Sequence, residues 1–159
     1  VCLMGRNGGF DYRQVKNLRD NLSKLEKEES AFAESCAKEL AARLLALAIR
    51  RTPKDTWSCR RGWTTQQSGS GSEGLKTHST KQYADTMKVH HYGDTYVIEV
   101  INPIEYASYV EYGHRTRDHQ GWVPGKFMMT ISEKEIQAAA PRILEKKLSK
   151  WLEGCLNGK

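Results

Sequence analysis

The sequence predicts an α+β fold, in which a long N-terminal helix packs on a small antiparallel sheet and a C-terminal helix, kinked near Pro141, covers the remaining face. Three observations support this prediction. Apolar residues recur at helical spacing in the N-terminal third, two β-rich stretches flank Gly93-Asp94, and helical spacing returns near the C-terminus. A length of 159 residues is typical of one domain, and we expect a single domain over residues 1–159.

Composition and charge exclude several classes of protein. Hydrophobic residues make up 38% of the chain and charged residues 28%, which is unlike a disordered chain. No apolar run approaches the roughly 18–20 residues that cross a bilayer, and the first residues lack the apolar core of a signal peptide. We therefore expect a protein made inside the cell, without a membrane partner. The net charge of +6 fits a nucleic-acid or acidic protein partner, and equally a solvated surface.

The cysteines predict neither a metal site nor a cofactor. Cys2, Cys36, Cys59 and Cys155 lie far apart and form no CxxC pair, whereas structural zinc sites use paired ligands at short spacing. We expect reduced, partly buried thiols. The glycines of Gly69–Gly74 do not form a phosphate-binding loop, because no Gly-Lys-Ser/Thr follows them.

The N-terminal region predicts a loose arm followed by two helices. Residues 1–10 contain three glycines and little pattern, so we expect the arm there. The first helix starts at Asp11, whose carboxylate can accept the N–H groups of the first turn. The second helix starts at about Ser30, is apolar almost all round in its C-terminal half, and ends before Pro53. The first helix carries a stripe that needs a partner to cover it: Val15, Leu18, Leu22 and Leu25.

A change of composition marks residues 64–80 as a flexible loop. Gly, Ser, Thr and Gln dominate there, and a polar segment of this length in a small domain is usually functional or disordered. We expect the loop to be mobile in the free subunit and ordered on assembly. Just before it, Trp63 and Arg60-Arg61 are expected to act in assembly rather than in folding. Packing of the tryptophan on the core of its own chain is nearly as well supported.

Two strands are predicted next, over Met87–Tyr92 and Thr95–Ile101. Gly93-Asp94 between them suits a two-residue turn of type II′. Because an isolated hairpin is marginal in water, this one must lie on the long helix or join a larger sheet.

The rest of the chain predicts a short helix, a basic loop and the C-terminal helix. Asn102 is the expected N-cap of the short helix and Gly113 its left-handed C′ residue. Residues 114–125 form the loop. The last helix starts at about Lys126, or at Ser132 if a capping box forms with Glu135, and Pro141 should kink or split it before its end near Gly154.

Histidines suggest catalysis only weakly. His90 and His91 are neighbours in a strand and point to opposite faces, so they do not easily share a metal ion. His114 and His119 flank arginines and Asp118, but no nuclease, hydrolase or metalloprotease motif accompanies them. We therefore expect no enzyme.

Aromatic side chains interleaved with basic ones predict binding surfaces instead. Arginine, tryptophan and tyrosine give a large contact area at a low entropic cost. No nucleic-acid-binding motif is present, which favours a protein partner, but contact of the same arginines with DNA remains the alternative. The candidate contact residues are Trp57, Arg60, Arg61, Trp63, Tyr112, His114, Arg115, Arg117 and Trp122.

Four segments of the sequence share the pattern of a known family: Val110–Gly113, Trp122–Ile131, Arg51–Thr56 and Arg60–Thr64. They resemble the HK97-gp10-like family of tailed-phage and prophage proteins. Val110-Glu-Tyr-Gly113 is similar to its Glu-Tyr/Phe-Gly motif, and Trp122–Ile131 to the helix start that follows a variable loop. Upstream, Arg51–Thr56 and Arg60–Thr64 resemble its T-P-x-D-T and R-x-S/G-W segments. The chain departs from the family pattern at Trp57-Ser-Cys59, where a glycine and an aliphatic residue are usual. The resemblance covers roughly residues 10–153.

The resemblance implies a virion protein of the neck or tail-completion region, which joins head to tail. Such proteins assemble as homo-oligomeric rings around the DNA channel and contact neighbouring head-completion and tail proteins. Assembly in the host cytoplasm, non-specific proximity to DNA, and the absence of enzymatic activity and of a cofactor are implied with it. A nucleic-acid-binding protein is the alternative function.

Overall fold

The computed structural model describes residues 12–54, 57–65 and 87–156. Within these ranges the fold is α+β, as predicted, with two long helices and two small antiparallel hairpins. The expected N-terminal arm and residues 66–80 of the expected loop lie outside the described residues. The described elements are α1 (Arg13–Arg51), α2 (Trp57–Gly62), β1 (His90–Tyr92), β2 (Thr95–Val97), α3 (Ala107–Tyr112), β3 (Gly113–Arg115), β4 (Trp122–Pro124) and α4 (Met128–Leu156).

Helix α1 is one continuous helix, so the predicted start of a second helix near Ser30 is wrong. The stretch from Lys24 to Ser30 contains Lys, Leu and Glu but no glycine or proline, and these residues favour continuation of a helix. The predicted end is confirmed. Thr52 is already extended, with φ −65° and ψ 128°, as expected for a residue that precedes a proline.

Helices α1 and α4 pack side by side and run in opposite directions. The rings of Phe32 and Trp151 stack with their centroids 4.3 Å apart. Further along, Lys147 Nζ lies 3.0 Å from a carboxylate oxygen of Glu39. At the far end, Arg51 Nη1 donates to Ser132 Oγ at 3.1 Å. This antiparallel pair is the frame on which the shorter elements lie.

Helix α4 begins at Met128, between the two starts that the sequence suggested. It continues through Pro141, so the predicted split into two helices is wrong, while the kink stays a prediction. It also passes Gly154 and ends at Leu156. The predicted capping box does not form. Ser132 instead donates to the carbonyl oxygen of Met128 at 2.6 Å.

The core lies where the C-terminal half of α1 meets α2, α3 and the start of α4. Leu45, Ala48, Cys59 and Met128 are fully buried, which confirms that this half of α1 is the centre of the fold. Burial raises the pKa of the Cys59 thiol. None of the three described cysteines is in a disulfide, and they are half-buried or buried: Cys36, Cys59 and Cys155.

Strands β1 and β2 form the predicted hairpin around Gly93. Gly93 has a φ of 60° and Asp94 does not share a positive φ, as a type II′ turn requires. The strands are shorter than predicted. The hairpin lies on α1, where the Tyr96 hydroxyl donates to Ser30 Oγ at 3.1 Å.

Helix α3 begins at Ala107, so the prediction that Asn102 is its N-cap is wrong. The Asn102 side chain accepts from the N–H of Ile104 at 3.2 Å and donates to the carbonyl oxygen of Cys59 at 2.8 Å, which ties α2 to this segment. Gly113 has the predicted positive φ of 87°, but its ψ of 171° is extended rather than left-handed helical. This residue therefore ends α3 and starts β3 at once.

None of the helices in the described ranges is long and apolar enough to span a membrane.

Candidate assembly surface

The side chain of Glu111, near the end of α3, binds the first turn of α4. Its carboxylate accepts the backbone N–H groups of Met129 and Thr130, both at 3.0 Å, and the Thr130 hydroxyl at 2.8 Å. The N–H groups of a first helical turn have no partner within their helix, and negative charge is favourable there. Glu111 is 7% exposed. We call this set of contacts the latch.

Backbone contacts complete the latch. The N–H of Lys126 donates to the carbonyl oxygen of Val110 at 2.8 Å. The N–H of Phe127 donates to the backbone carbonyl oxygen of Glu111 at 3.0 Å. The chains approach so closely that a Cβ at Gly125 would lie 2.3 Å from the Glu111 carbonyl oxygen. A Cβ at Gly113 would lie 2.4 Å from the carbonyl oxygen of Val123. Both positions therefore need glycine.

Between the two glycines, strands β3 and β4 form an antiparallel hairpin where the sequence predicted only a loop. The tip is held by its own hydrogen bonds: Thr116 N donates to Gly121 O at 3.0 Å, and Gly121 N donates back to Thr116 Oγ1 at 2.9 Å. The Thr116 hydroxyl donates to Asp118, and this bond lowers the pKa of the Asp118 carboxyl. The tip is thus a folded turn.

The hairpin and the helix ends beside it expose large apolar side chains. Tyr112 is 63% exposed and Trp122 60% exposed. The Tyr109 and His114 rings lie 5.9 Å apart, which links α3 to β3. We give the name aromatic surface to the following exposed residues, which lie on both faces of the hairpin and on the helix ends beside it: Tyr106, Tyr109, Tyr112, Trp122, Val123, Phe127 and Ile131.

Exposed basic side chains border the aromatic surface. Arg115 stands directly opposite Trp122 in the hairpin register, and Arg117 follows in the tip. Lys126 is exposed at the foot of β4. Asp118 is the one carboxylate between Gly113 and Lys126, so the hairpin is basic. Exposed aromatic rings next to arginines suit a protein interface or a nucleic-acid backbone.

Five of the residues that the sequence proposed for partner contact are exposed on the β3–β4 hairpin or directly beside it. Tyr109, Phe127 and Ile131 are also exposed nearby, although the sequence did not point to them as contact residues. The helical spacing of Tyr106 and Tyr109 was a usable signal for α3, but nothing local showed that the start of α4 lies beside it. The five proposed residues are Tyr112, His114, Arg115, Arg117 and Trp122, all exposed.

The upstream segment is different, because Trp63 belongs to the core. It is 5% exposed, and its indole Nε1 donates to Thr52 Oγ1 at 2.8 Å. The alternative interpretation, in which this tryptophan packs on the core of its own chain, is confirmed, since α2 folds the chain back onto the end of α1. Thr64, expected to start the mobile loop, is also buried and forms a two-bond bridge with Ile101.

The remaining residues of this segment are less buried. Arg60 is half-buried and Arg61 is exposed on α2. The side chain of Trp57 lies outside the described residues. Gly62 allows the close approach of the Asn102 and Ile104 side chains, because a Cβ there would lie 2.4 Å from Asn102 Oδ1.

No arrangement for metal binding occurs in the described part of the chain, where no three His, Cys, Asp or Glu side chains cluster suitably. His114 contacts Tyr109, and His119 sits in the hairpin tip with a φ of 59°. Both histidines are thus placed by the hairpin, one in a ring contact and one in a turn.

Comparison with known proteins identifies the family. The sequence profile described as "Bacteriophage HK97-gp10, putative tail-component" matches residues 16–113. This range contains Arg51–Thr56, Arg60–Thr64 and the Glu-Tyr-Gly motif, while Trp122–Ile131 lies beyond it. Searches of curated proteins and of solved structures gave no significant match. Since the profile spans more than half of the sequence, the protein belongs to the HK97-gp10 family of bacteriophage tail components.

Proposed function

We propose that the protein is a structural virion component that acts at the head–tail neck or tail-completion interface, as a ring around the DNA channel. The observation that carries this proposal is the aromatic surface on and beside the β3–β4 hairpin. The latch holds the base of this hairpin between α3 and α4. Family membership supports a role in the phage tail. Assembly in the host cytoplasm, before incorporation into the virion, belongs to the same proposal.

The energetics of the aromatic surface support a binding role. A hairpin of two three-residue strands is only marginally stable by itself in water. This hairpin nevertheless exposes Trp122 in β4, and Tyr112 is exposed directly before β3. Buried tyrosine, tryptophan and arginine side chains supply much of the binding energy at protein interfaces. A hairpin with a folded tip also loses little conformational entropy on binding.

The proposed partners are further copies of the chain and the neighbouring head-completion and tail proteins. The contact residues are those of the hairpin, with Arg61, Arg60 and Trp57 as an additional segment. Trp63 is no longer in this set, because it is buried in the core.

Incorporation into phage particles tests the proposal. We expect the double variant Tyr112→Ala/Trp122→Ala to fold like the parent but to leave heads and tails unjoined, counted by electron microscopy after complementation of a deletion. Tyr92→Ala is a matched control, because Tyr92 is 69% exposed on the other hairpin. Normal particle yield from the double variant, with the protein incorporated, would contradict the proposed interface.

The alternative function is nucleic-acid binding through the basic side chains of the hairpin. Arg115 and Arg117 are exposed and can contact phosphates. Such contacts release counterions from the nucleic acid, so the affinity would fall as the salt concentration rises. Replacing both by alanine should then reduce the slope of log affinity against log salt by about 2, at roughly 0.9 per phosphate contact. A double variant that still joins heads to tails while losing DNA affinity would favour this alternative.

A further inference from the structure

The N-terminal part of α1 extends beyond the end of its partner helix. Near the C-terminus of α4, Cys155 Sγ lies 3.9 Å from a carboxylate oxygen of Glu28. The residues of α1 before this point, Arg13–Lys24, span about 18 Å at roughly 1.5 Å per residue. We call them the α1 extension. They carry the stripe that the sequence marked as needing a partner.

The stripe on the α1 extension is open to solvent. Val15 is 56% exposed, Leu18 51% and Leu22 52%. Their spacing of three and four residues places them on one side of the helix. The extension is also basic, with four Lys or Arg side chains against one Asp between Arg13 and Lys24. It is therefore a basic amphipathic segment of α1, and no described residue covers its apolar side.

A groove with the opposite charge lies farther along, between α1 and α4. Its volume is about 690 Å³. Most of its lining is apolar, including Leu25 and Phe32 of α1 and Leu148 of α4. Among the described residues that line it none is basic, and three are acidic: Glu26, Glu29 and Glu145.

The extension cannot reach the groove of its own chain. The extension and the α1 wall of the groove belong to one continuous helix. For the extension to fold back into the groove, α1 would have to break between Lys24 and Leu25, where it is continuous. Val15, Leu22 and Glu29 follow one another at intervals of seven residues, so the stripe and the α1 wall of the groove share one side of the helix. The α1 extension is basic and apolar, and the groove that follows it is acidic and apolar. The extension of one copy is therefore complementary in charge and in polarity to the groove of another copy.

We propose that the α1 extension of one copy lies in the α1–α4 groove of a second copy. Val15, Leu18 and Leu22 cover the apolar floor, and Lys16 and Arg19 face the glutamates of the groove. This inference rests on the proposed function, in which copies of the chain assemble as a ring, and it identifies the two surfaces that meet between neighbouring copies. It is separate from the aromatic hairpin, which is left for other subunits or other tail proteins.

Charge reversal with mixing tests this contact. One variant, Lys16→Glu/Arg19→Glu, reverses the extension; the other, Glu29→Lys/Glu145→Lys, reverses the groove. Each alone should weaken self-association by about tenfold, measured by sedimentation at low salt, while a mixture of the two should associate more tightly than either. Matched controls are Lys146→Glu and Glu153→Lys, two exposed α4 residues outside the groove lining. These should associate like the parent.

Thermal unfolding and a second measurement guard against misfolded variants. Zero-length carbodiimide cross-linking of a mixture of labelled and unlabelled parent protein should join Lys16 or Lys24 of one copy to Glu145 of another. If both charge-reversal variants assemble as well as the parent, and the parent forms no such cross-links, the contact is overturned and ring assembly still stands. Parent protein that stays monomeric at all concentrations yet is present in phage particles would overturn the contact and leave the virion role standing.

Discussion

Glu111 Oε1 accepts two hydrogen bonds from Thr130, one from its backbone N–H at 3.0 Å and one from its hydroxyl at 2.8 Å. Helix α4 has no acidic residue in its own first turn. The carboxylate that favours the start of this helix therefore comes from α3, across a hairpin. The glutamate of the Glu-Tyr-Gly motif thus acts as a tertiary helix cap, while the tyrosine next to it is exposed.

Loss of the latch carboxylate should destabilise the fold. We expect Glu111→Ala to lower the free energy of unfolding by about 2 kcal/mol, because it leaves two N–H groups of α4 without their acceptor. Urea denaturation measures the loss. Exposed Glu105, just before α3, is the control, and Glu105→Ala should change stability by less than about 0.5 kcal/mol. Equal stability of the two variants would show that the Glu111 carboxylate contributes nothing to stability.

The glycines at the feet of the hairpin should tolerate no side chain. Gly125→Ala would place a Cβ against the Glu111 backbone, so we expect a stability loss of roughly 2 kcal/mol or more from the forced shift. Gly154→Ala is the matched control in α4, because a Cβ there meets nothing within 4 Å. Alanine at that helical position should instead stabilise by about 0.5–1 kcal/mol. Opposite signs in chemical denaturation are the expected result.

Truncation of Trp63 should act on folding. Trp63→Ala removes a core side chain and the donor to Thr52, and we expect a loss of about 3–5 kcal/mol in the free energy of unfolding. Trp122→Ala removes an exposed ring and should cost about 0.5 kcal/mol or less. Calorimetry on both variants separates the two tryptophans. A Trp63→Ala protein that melts with the parent would return this residue to the candidate contact set.

The contact between α1 and α4 should weaken in acid. Partial burial alone would raise the pKa of Glu39, but hydrogen bonds from Arg43 and Lys147 outweigh it and lower the pKa below its usual 4.5. A carboxyl with a lowered folded-state pKa stabilises the fold above its unfolded pKa, and this contribution disappears as the pH falls through the folded value. The stability difference between the parent and Glu39→Gln should thus be largest near neutral pH and vanish in acid. A stability difference between the parent and Glu39→Gln that stays constant from neutral pH into acid would contradict this prediction.

Elements whose signals are local could be predicted from the sequence. The end of α1 follows from the proline after Thr52, and the turn at Gly93 follows from a two-residue linker between β-branched stretches. The exposure of the aromatic and arginine side chains in residues 114–125 could also be predicted, because such side chains within a polar stretch of sequence indicate a surface segment whatever the fold.

Features that depend on distant partners could not be predicted. Ser132 and Glu135 have the spacing of a capping box, but Arg51 binds both side chains, so their partner lies on another helix. Asn102 resembles an N-cap for the same local reason, while its amide binds the carbonyl oxygen of Cys59. Trp63 follows the same rule, since the residue that accepts its indole N–H is on the far side of α2.

The anchoring of both hairpin feet has a consequence for how such a protein can diversify. The bonds of Val110 and Glu111 to Lys126 and Phe127 close a ring of backbone at the base, and the tip from Thr116 to Gly121 is held by bonds of its own. Residues can thus be inserted or exchanged at the tip without moving either helix. We therefore expect that, among related proteins, the length and sequence of the tip vary more than the residues that hold the base.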